Sequence, residues 1–474
     1  LIAPLGRVKA VLHRGETVRV EVVVRTLKLG HFFPGGTVDA YDCWLELQAR
    51  DNEGHVIFWS GEAANNGSGP VDPRAHFYHS LQLDAHGNVV NKRDTWLTRA
   101  VVYTHLIPPG AADTAHYKLL IPKNCGDKIT LTAKLNYRKF SWWYTQWAFA
   151  GIRDPSDPHY GLTYSFDDGR WTFKGNVADV SAKYKRIPDV PTVVIAEQSL
   201  TLPVEGSGAS VPAFAQDIEL NQKDMIRWND YGIGLLLQGD LKGAERAFRL
   251  VTQIDPSYAD GWVNVARSLI NEGNTDAAKP LLIKAIKLEP RLGSAHYFYG
   301  LALKADGMYQ EAFDQFALAA DRYPNDRVVR NQMGEMEFLQ RKYRPAVTEF
   351  TKTLTVDPED LFAHYNLMLC YMGLGDSKLA ARERHLYLRF KANEAAKSVA
   401  GPYLLAHPGA NNEAQPVHEH TTIPLAEITH PPASWYTPYP VTPMPDGPRR
   451  APTVPDNLTA LGPARAGLKP GATH

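Results

Sequence analysis

What this chain lacks narrows it first. It has three cysteines, Cys43, Cys125 and Cys370, and no Cys-x-x-Cys spacing. That excludes a zinc ribbon, a thioredoxin-type pair and a covalently attached c-type haem. An excess of one charge is missing too: 51 basic side chains meet 51 acidic ones, so nothing marks a nucleic-acid surface. No apolar run approaches the ~18 residues that span a bilayer. There is no Gly-x-Ser-x-Gly elbow, no His-Glu-x-x-His and no phosphate-binding glycine loop, and the carboxylates are not paired by any motif. The chain starts at Leu1 without a methionine or a signal sequence, which suggests a processed or truncated product. Cys43 and Cys125 could bridge if the protein is exported, but two buried thiols are the simpler expectation.

What the chain does have is a strict period. Pro256, Pro290, Pro324 and Pro358 stand 34 residues apart. The same frame carries Ala244, Ala278, Ala312, Ala346 and Ala380, the bulky Phe248, Leu282, Phe316 and Phe350, and Gly239, Gly273, Gly307 and Gly375. Each unit reads as two amphipathic helices. The alanine lets them approach and the proline stops the second. This grammar resembles the tetratricopeptide repeat (TPR). One such hairpin cannot bury its apolar face alone, so neighbours must stack into a solenoid. Five units fit residues 225–393. The last is degenerate, with Arg384 at the bulky position and Ala392 in place of proline.

Upstream, residues 1–204 read as an antiparallel β-sandwich of the immunoglobulin or fibronectin III kind. Val18, Val20, Val22 and Val24 point one way and Arg19, Glu21 and Arg25 the other, and Ile129, Leu131, Ala133, Leu135 and Tyr137 share one face of a second strand. Further strands are expected at Asp42–Arg50, Val56–Trp59, Phe77–Leu83, Leu97–Leu106, Ala115–Ile121 and Pro191–Val204. An aromatic-rich insertion at 140–187 interrupts them, with Trp142, Trp143, Trp147 and Trp171 among its rings. An insertion of this length is usually functional or interfacial. Its Asp154, Asp157, Asp167 and Asp168 lack the spacing of a calcium loop, so turn and capping roles are expected. Residues 205–224 read as a linker. Residues 394–474 read as an extended Pro-rich tail, with 15 prolines after Gly401. Lacking an amphipathic period, the tail must lie on another surface. We expect part of it along the solenoid or sandwich, and Trp435, Tyr436 and Tyr439 against a partner subunit.

The order of parts has a closer parallel. Gly30-His31-Phe32-Phe33-Pro34-Gly35-Gly36-Thr37-Val38-Asp39, then a strand with Trp44, then Tyr137-Arg138-Lys139-Phe140, precede the repeats. This arrangement resembles the C-terminal, haem-free part of exported bacterial TPR-containing multihaem c-type cytochromes. The resemblance implies a scaffold in the periplasm or outside the cell, partnered by multihaem cytochrome subunits or copies of itself. It implies no covalent haem here, only the haem of a partner. A self-assembling filament or coat subunit is an alternative, and an enzyme with a site in the aromatic insertion is another.

Candidate sites are few. His31, in a Gly- and Pro-rich turn, could ligate a neighbour's haem iron or another metal, though a turn hydrogen bond explains it as well. His418-Glu419-His420 would put both imidazoles on one side of an extended chain. Two ligands are too few for a metal, so a solvated polar patch is expected there. In the TPR family the first helix of each unit lines the concave groove. That implies partner-binding roles for Asn229, Val263, Arg267, Tyr297, Lys304, Asn331 and Tyr365, a surface suited to a Pro-rich or apolar peptide.

Overall fold

A computed structural model describes residues 4–8, 10–153, 171–173, 185–206, 220–391 and 396–424. The strands are β1 (Leu12–His13), β2 (Thr17–Arg25), β3 (Asp42–Asp51), β4 (Val56–Ser60), β5 (His76–Phe77), β6 (Ser80–Leu83), β7 (Ala100–Thr104), β8 (Ala112–Leu120) and β9 (Lys128–Arg138). They continue with β10 (Gly151–Arg153), β11 (Trp171–Phe173), β12 (Val193–Glu205) and, far downstream, β13 (Glu419–His420).

One sheet runs β1-β12-β9-β3-β4, with β5 also on β3. A second runs β13-β8-β2, and β6–β7 and β10–β11 form separate ladders. The alternation along β2 and β9 has its expected effect. Val20, Ile129, Leu131 and Leu135 are buried in one core with Cys43, Leu45, Tyr117 and Leu119, and Val18, Val22 and Val24 are half-buried against it. All three cysteines are buried free thiols.

Two expected strands are shorter. Phe77–Leu83 breaks after Phe77, because fully buried Tyr78 turns inward and its hydroxyl donates to Asp113. Leu97–Leu106 starts at Ala100, since Thr95–Leu97 form a 3-10 turn. The described start of the aromatic insertion is a helix, α1 (Trp142–Ala150), capped by Ser141, whose hydroxyl accepts from the Tyr144 amide. Asp154, Asp157, Asp167 and Asp168 lie outside the described residues.

The array consists of ten helices in five antiparallel pairs. They are α2 (Met225–Gln238), α3 (Leu241–Ile254), α4 (Ala259–Asn271), α5 (Thr275–Leu288), α6 (Gly293–Ala305), α7 (Tyr309–Arg322), α8 (Arg327–Leu339), α9 (Tyr343–Val356), α10 (Leu361–Gly373) and α11 (Ser377–Phe390). Ala244, Ala278, Ala312 and Ala346 are fully buried, as are the bulky residues Phe248, Leu282, Phe316 and Phe350. A second regularity lies beneath the rings. A Cβ on Gly232, Gly300 or Gly334 would stand 2.6–2.7 Å from the ring of Phe248, Phe316 or Phe350. Where the unit has Leu282 instead, the facing residue is Ala266. The inter-helix turns use the left-handed region at Gly239, Gly273, Gly307 and Gly375, and at the same place in the fourth unit Arg341 has φ 59°.

The described part of the tail lies on the strand-rich region, as expected, but it is helical rather than extended. Beyond the array, α12 (Ala396–Ala406) and α13 (Pro408–Glu413) fold on the strand-rich region, and β13 adds in parallel to β8. Val399 and Tyr403 are buried with Leu81, Leu83 and Ala100. Ile423 is sealed against Ala64 and Trp59. The segment has no core of its own. It becomes helical by completing the one that β6 and β7 leave open. Among the described residues no helix is long and apolar enough to cross a membrane.

Candidate functional site

Several positions implied as partner-binding are consumed inside the array. Asn229, Val263 and Asn331 are buried between repeats. Asn264 Nδ2 donates to Asn229 Oδ1 at 3.1 Å, and Asn331 Nδ2 donates to Asp360 Oδ1 at 3.1 Å. The Arg267 guanidinium lies 5.6 Å from the centre of the Phe298 ring. Tyr297 packs against Phe316, and Lys304 is held by Gln332 and Glu335. Tyr365 alone of this set is exposed, its ring beside Tyr387. Trp435, Tyr436 and Tyr439 lie outside the described residues. His31 is exposed and donates from Nδ1 to its neighbour's carbonyl, Phe32 O, at 2.7 Å.

A surface remains open at the far end of the array. Arg327, Val328 and Gln332 of α8 and Leu361 and Phe362 of α10 line a cleft floored by Asn331 and Asp360. Val328 and Phe362 expose large apolar area there, and Tyr365 continues it one turn along α10. The cleft is apolar with Arg327, Asp357 and Glu359 at its rim, and Arg327 reaches to Asp360 on the floor at 2.7 Å.

The near end of the array is fixed to the strand-rich region. Gln238 Nε2 donates to Thr114 O at 2.6 Å, and its Oε1 meets His116 Nε2 at 2.9 Å. Tyr231 donates to Glu21 at 2.6 Å, and Arg25 pairs with Asp230 at 2.9 Å. Gly234 lies directly on Thr114, where any side chain would collide. Burial works to raise the Glu21 carboxyl, but hydrogen bonds from His116 and Tyr231 outweigh it and leave the carboxyl below its ordinary range.

His418 and His420 are not a solvated patch. Pairing of β13 with β8 buries both, while the intervening Glu419 faces outward to Arg19 at 2.9 Å. They meet His76 of β5, His105 just after β7, and Glu413 at the end of α13. His76, His105, Glu413 and His418 bring ligand atoms within 4.8 Å of one another. The His76, His105 and His418 rings are nearly parallel, and His420 stands across them.

Each ring spends one nitrogen on an outer acceptor. His76 Nε2 donates to Asp113 Oδ2 at 2.9 Å, His105 Nε2 to Glu413 O at 3.0 Å, His418 Nδ1 to Gln415 O at 3.0 Å and His420 Nδ1 to Arg74 O at 2.9 Å. Burial pushes His105 down to about 3 and His420 down to about 4. Burial tends to raise Glu413, but its hydrogen bond with His418 and the nearby imidazoles hold it down at about 2. Burial tends to lower His418, and the same contact with Glu413 raises it instead. The sequence hid this cluster, because its halves lie more than 300 residues apart. A second group, Asp51, Glu53 and His55, is a turn: Asp51 accepts from the backbone amides of Glu53, His55 and Gly126.

Comparison with known proteins supports the repeat half. The tetratricopeptide repeat family matches residues 265–327. A curated relative, the anaphase-promoting complex subunit CDC16 of Saccharomyces cerevisiae, is 26% identical over 167 residues, 34% of this chain. The chain spans 20% of that relative's length. Among solved structures, MamA is 21% identical, with a TM-score of 0.33, and 38% of this chain matches 96% of it. YrrB, described as a TPR protein with an unusual peptide-binding site, is 20% identical, with a TM-score of 0.33, and 40% of this chain matches 98% of it. The helices, their 34-residue frame and the family match together make the C-terminal half a TPR array.

Proposed function

We propose that this chain is a non-enzymatic protein-binding scaffold that presents the α8–α10 cleft to a partner. The observation that carries this is the asymmetry of the array. One end is locked to the strand-rich region through Gln238, Gly234 and Tyr231, while the other keeps Val328, Phe362 and Tyr365 exposed around a cleft. Apolar anchors beside a charged rim suit an extended peptide segment. We read the strand-rich region as an immunoglobulin- or fibronectin III-like sandwich, since its two larger sheets share one core. The resemblance of the Gly30–Asp39 stretch supports an exported assembly with multihaem c-type cytochromes, whose haem would belong to the partner. The test is to isolate the chain from its source under mild conditions and record a haem absorbance band. A retained haem protein, released by Phe362→Asp with Tyr365→Asp while the circular dichroism stays unchanged, is the expected result. Retention unaffected by those substitutions would overturn the cleft, and absence of haem protein would overturn the cytochrome partner.

A second reading has its own observation. Among the described residues, strand β12 meets β1 only at Val204 and Glu205, and Val193, Val194 and Ile195 are exposed. An open, apolar strand edge is a template for pairing between copies, as in a filament or coat. Val194→Lys should then abolish concentration-dependent growth of the sedimenting species. Growth unchanged by that substitution removes this reading.

A further inference from the structure

We infer that His76, His105, Glu413 and His418, with His420 beside them, form a binding site for one divalent first-row transition metal ion, which fastens the post-array segment to the strand-rich region. The hydrogen bonds point to this first. Carbonyl and carboxylate oxygens only accept, so the four outer contacts fix one proton on the outward nitrogen of each ring. The inward nitrogens are then His76 Nδ1, His105 Nδ1 and His418 Nε2, which present lone pairs to a space shared with the Glu413 carboxylate, while His420 Nε2 faces His76 Nδ1. Rings oriented by a carboxylate or backbone carbonyl through the opposite nitrogen are the usual support of metal-bound histidine. Asp113 plays that part for His76 and is itself held by the Tyr78 hydroxyl.

The inward distances agree. His76 Nδ1 stands 3.1 Å from His420 Nε2 and 3.4 Å from His418 Nε2. Glu413 Oε2 is 3.3 Å from His418 Nε2 and 3.7 Å from His105 Nδ1. Ligands about 2.1 Å from a common ion stand about 3.0–3.6 Å apart. Among the described residues, buried His105 Nδ1 has no hydrogen-bond partner. A proton on His418 would serve the contact to Glu413 and leave His105 Nδ1 unanswered. A cation answers all of these groups together.

The donor set selects the ion by class. Imidazole nitrogens with one carboxylate favour zinc, copper(II), nickel or iron(II) over magnesium or calcium, which take oxygen ligands. The ligands come from β5, the residue after β7, the end of α13 and the residue before β13, so the ion would tie chain separated by most of the molecule.

The test uses the full chain, stripped with a chelator, dialysed, and titrated separately with zinc and with cobalt(II) as a spectroscopic probe. One equivalent should bind, raise the melting temperature and give cobalt ligand-field bands typical of nitrogen and oxygen donors. His76→Gln with His418→Gln should lose all three, and His31→Gln should keep them. Binding unchanged in the double variant, or no retained metal and no thermal shift in the unaltered chain, would overturn the site and leave a proton-linked histidine cluster only. Should the double variant fail to fold, hydrogen exchange of the unaltered chain decides. Metal should slow exchange at residues 413–420 and 76–77, and equal exchange with and without metal would overturn the inference.

Discussion

At the scale of single residues, the array's packing rule is a pairing between two helix positions. Phe248, Phe316 and Phe350 each lie over a glycine, and Leu282 lies over Ala266. Adding a methyl group under a ring overpacks the contact at a cost of about 1–3 kcal/mol. That exceeds the ~1 kcal/mol that alanine gains over glycine inside a helix. Gly300→Ala should therefore destabilise the array in chemical denaturation. Combined with Phe316→Leu, the loss should be smaller than the sum of the two single changes, and simple additivity would refute the pairing. Arg341 offers the opposite case. It holds a left-handed turn conformation that glycine supplies in the other units, at a backbone cost of roughly 1–2 kcal/mol. Arg341→Gly should raise the denaturation midpoint, less the entropy that glycine returns to the unfolded chain. An unchanged or lowered midpoint would show that the turn carries no strain.

Between elements, the informative joint is the one where α2 meets β8. Glu21 receives both Tyr231 and His116 there. Its folded carboxyl lies below its unfolded value, so the stabilisation is present above the ordinary carboxylate range and lost as pH falls through the folded value. The melting temperature should drop on acidification with a component that Glu21→Gln removes. A profile identical in the variant would clear Glu21 of the role. Gly234→Leu should separate the array from β8 without unfolding either, seen as faster hydrogen exchange at residues 112–117 and 231–238. Unchanged exchange there would mean that the joint tolerates the side chain. The sequence showed the array's helices because a 34-residue period needs only local spacing to be visible. It showed β2 and β9 through alternation. It could not show that Asn229 and Asn331 face neighbouring repeats, because a polar residue on a groove position looks the same whether a partner or an adjacent helix takes its hydrogen bonds.

For the whole molecule, the chain after the array belongs to the strand-rich region. Composition pointed to a strap, and a strap it is as far as Pro424, but one that folds into helices where β6 and β7 lend it a core. His418 and His420 read as polar because their partners, His76 and His105, are invisible to any local window. Truncation after Lys391 should expose Leu81, Leu83, Ala100 and Ala64. Hydrogen exchange should rise in β6, β7 and β8 while α4–α9 keep their protection. Equal loss in both regions would mean that the array also depends on the returning segment, and no change in β6–β8 would refute its role.

The pairing of β13 with β8 also sets an order of events during synthesis. Strand β8 is made early, whereas β13 follows after the whole array has been translated. At about 5–20 residues per second, the intervening ~300 residues take roughly 15–60 s. Throughout that interval the nascent N-terminal part presents an incomplete sheet and the uncovered side chains of Leu81 and Leu83. A ribosome-bound fragment ending near residue 391 should therefore recruit holdase chaperones that the finished protein does not.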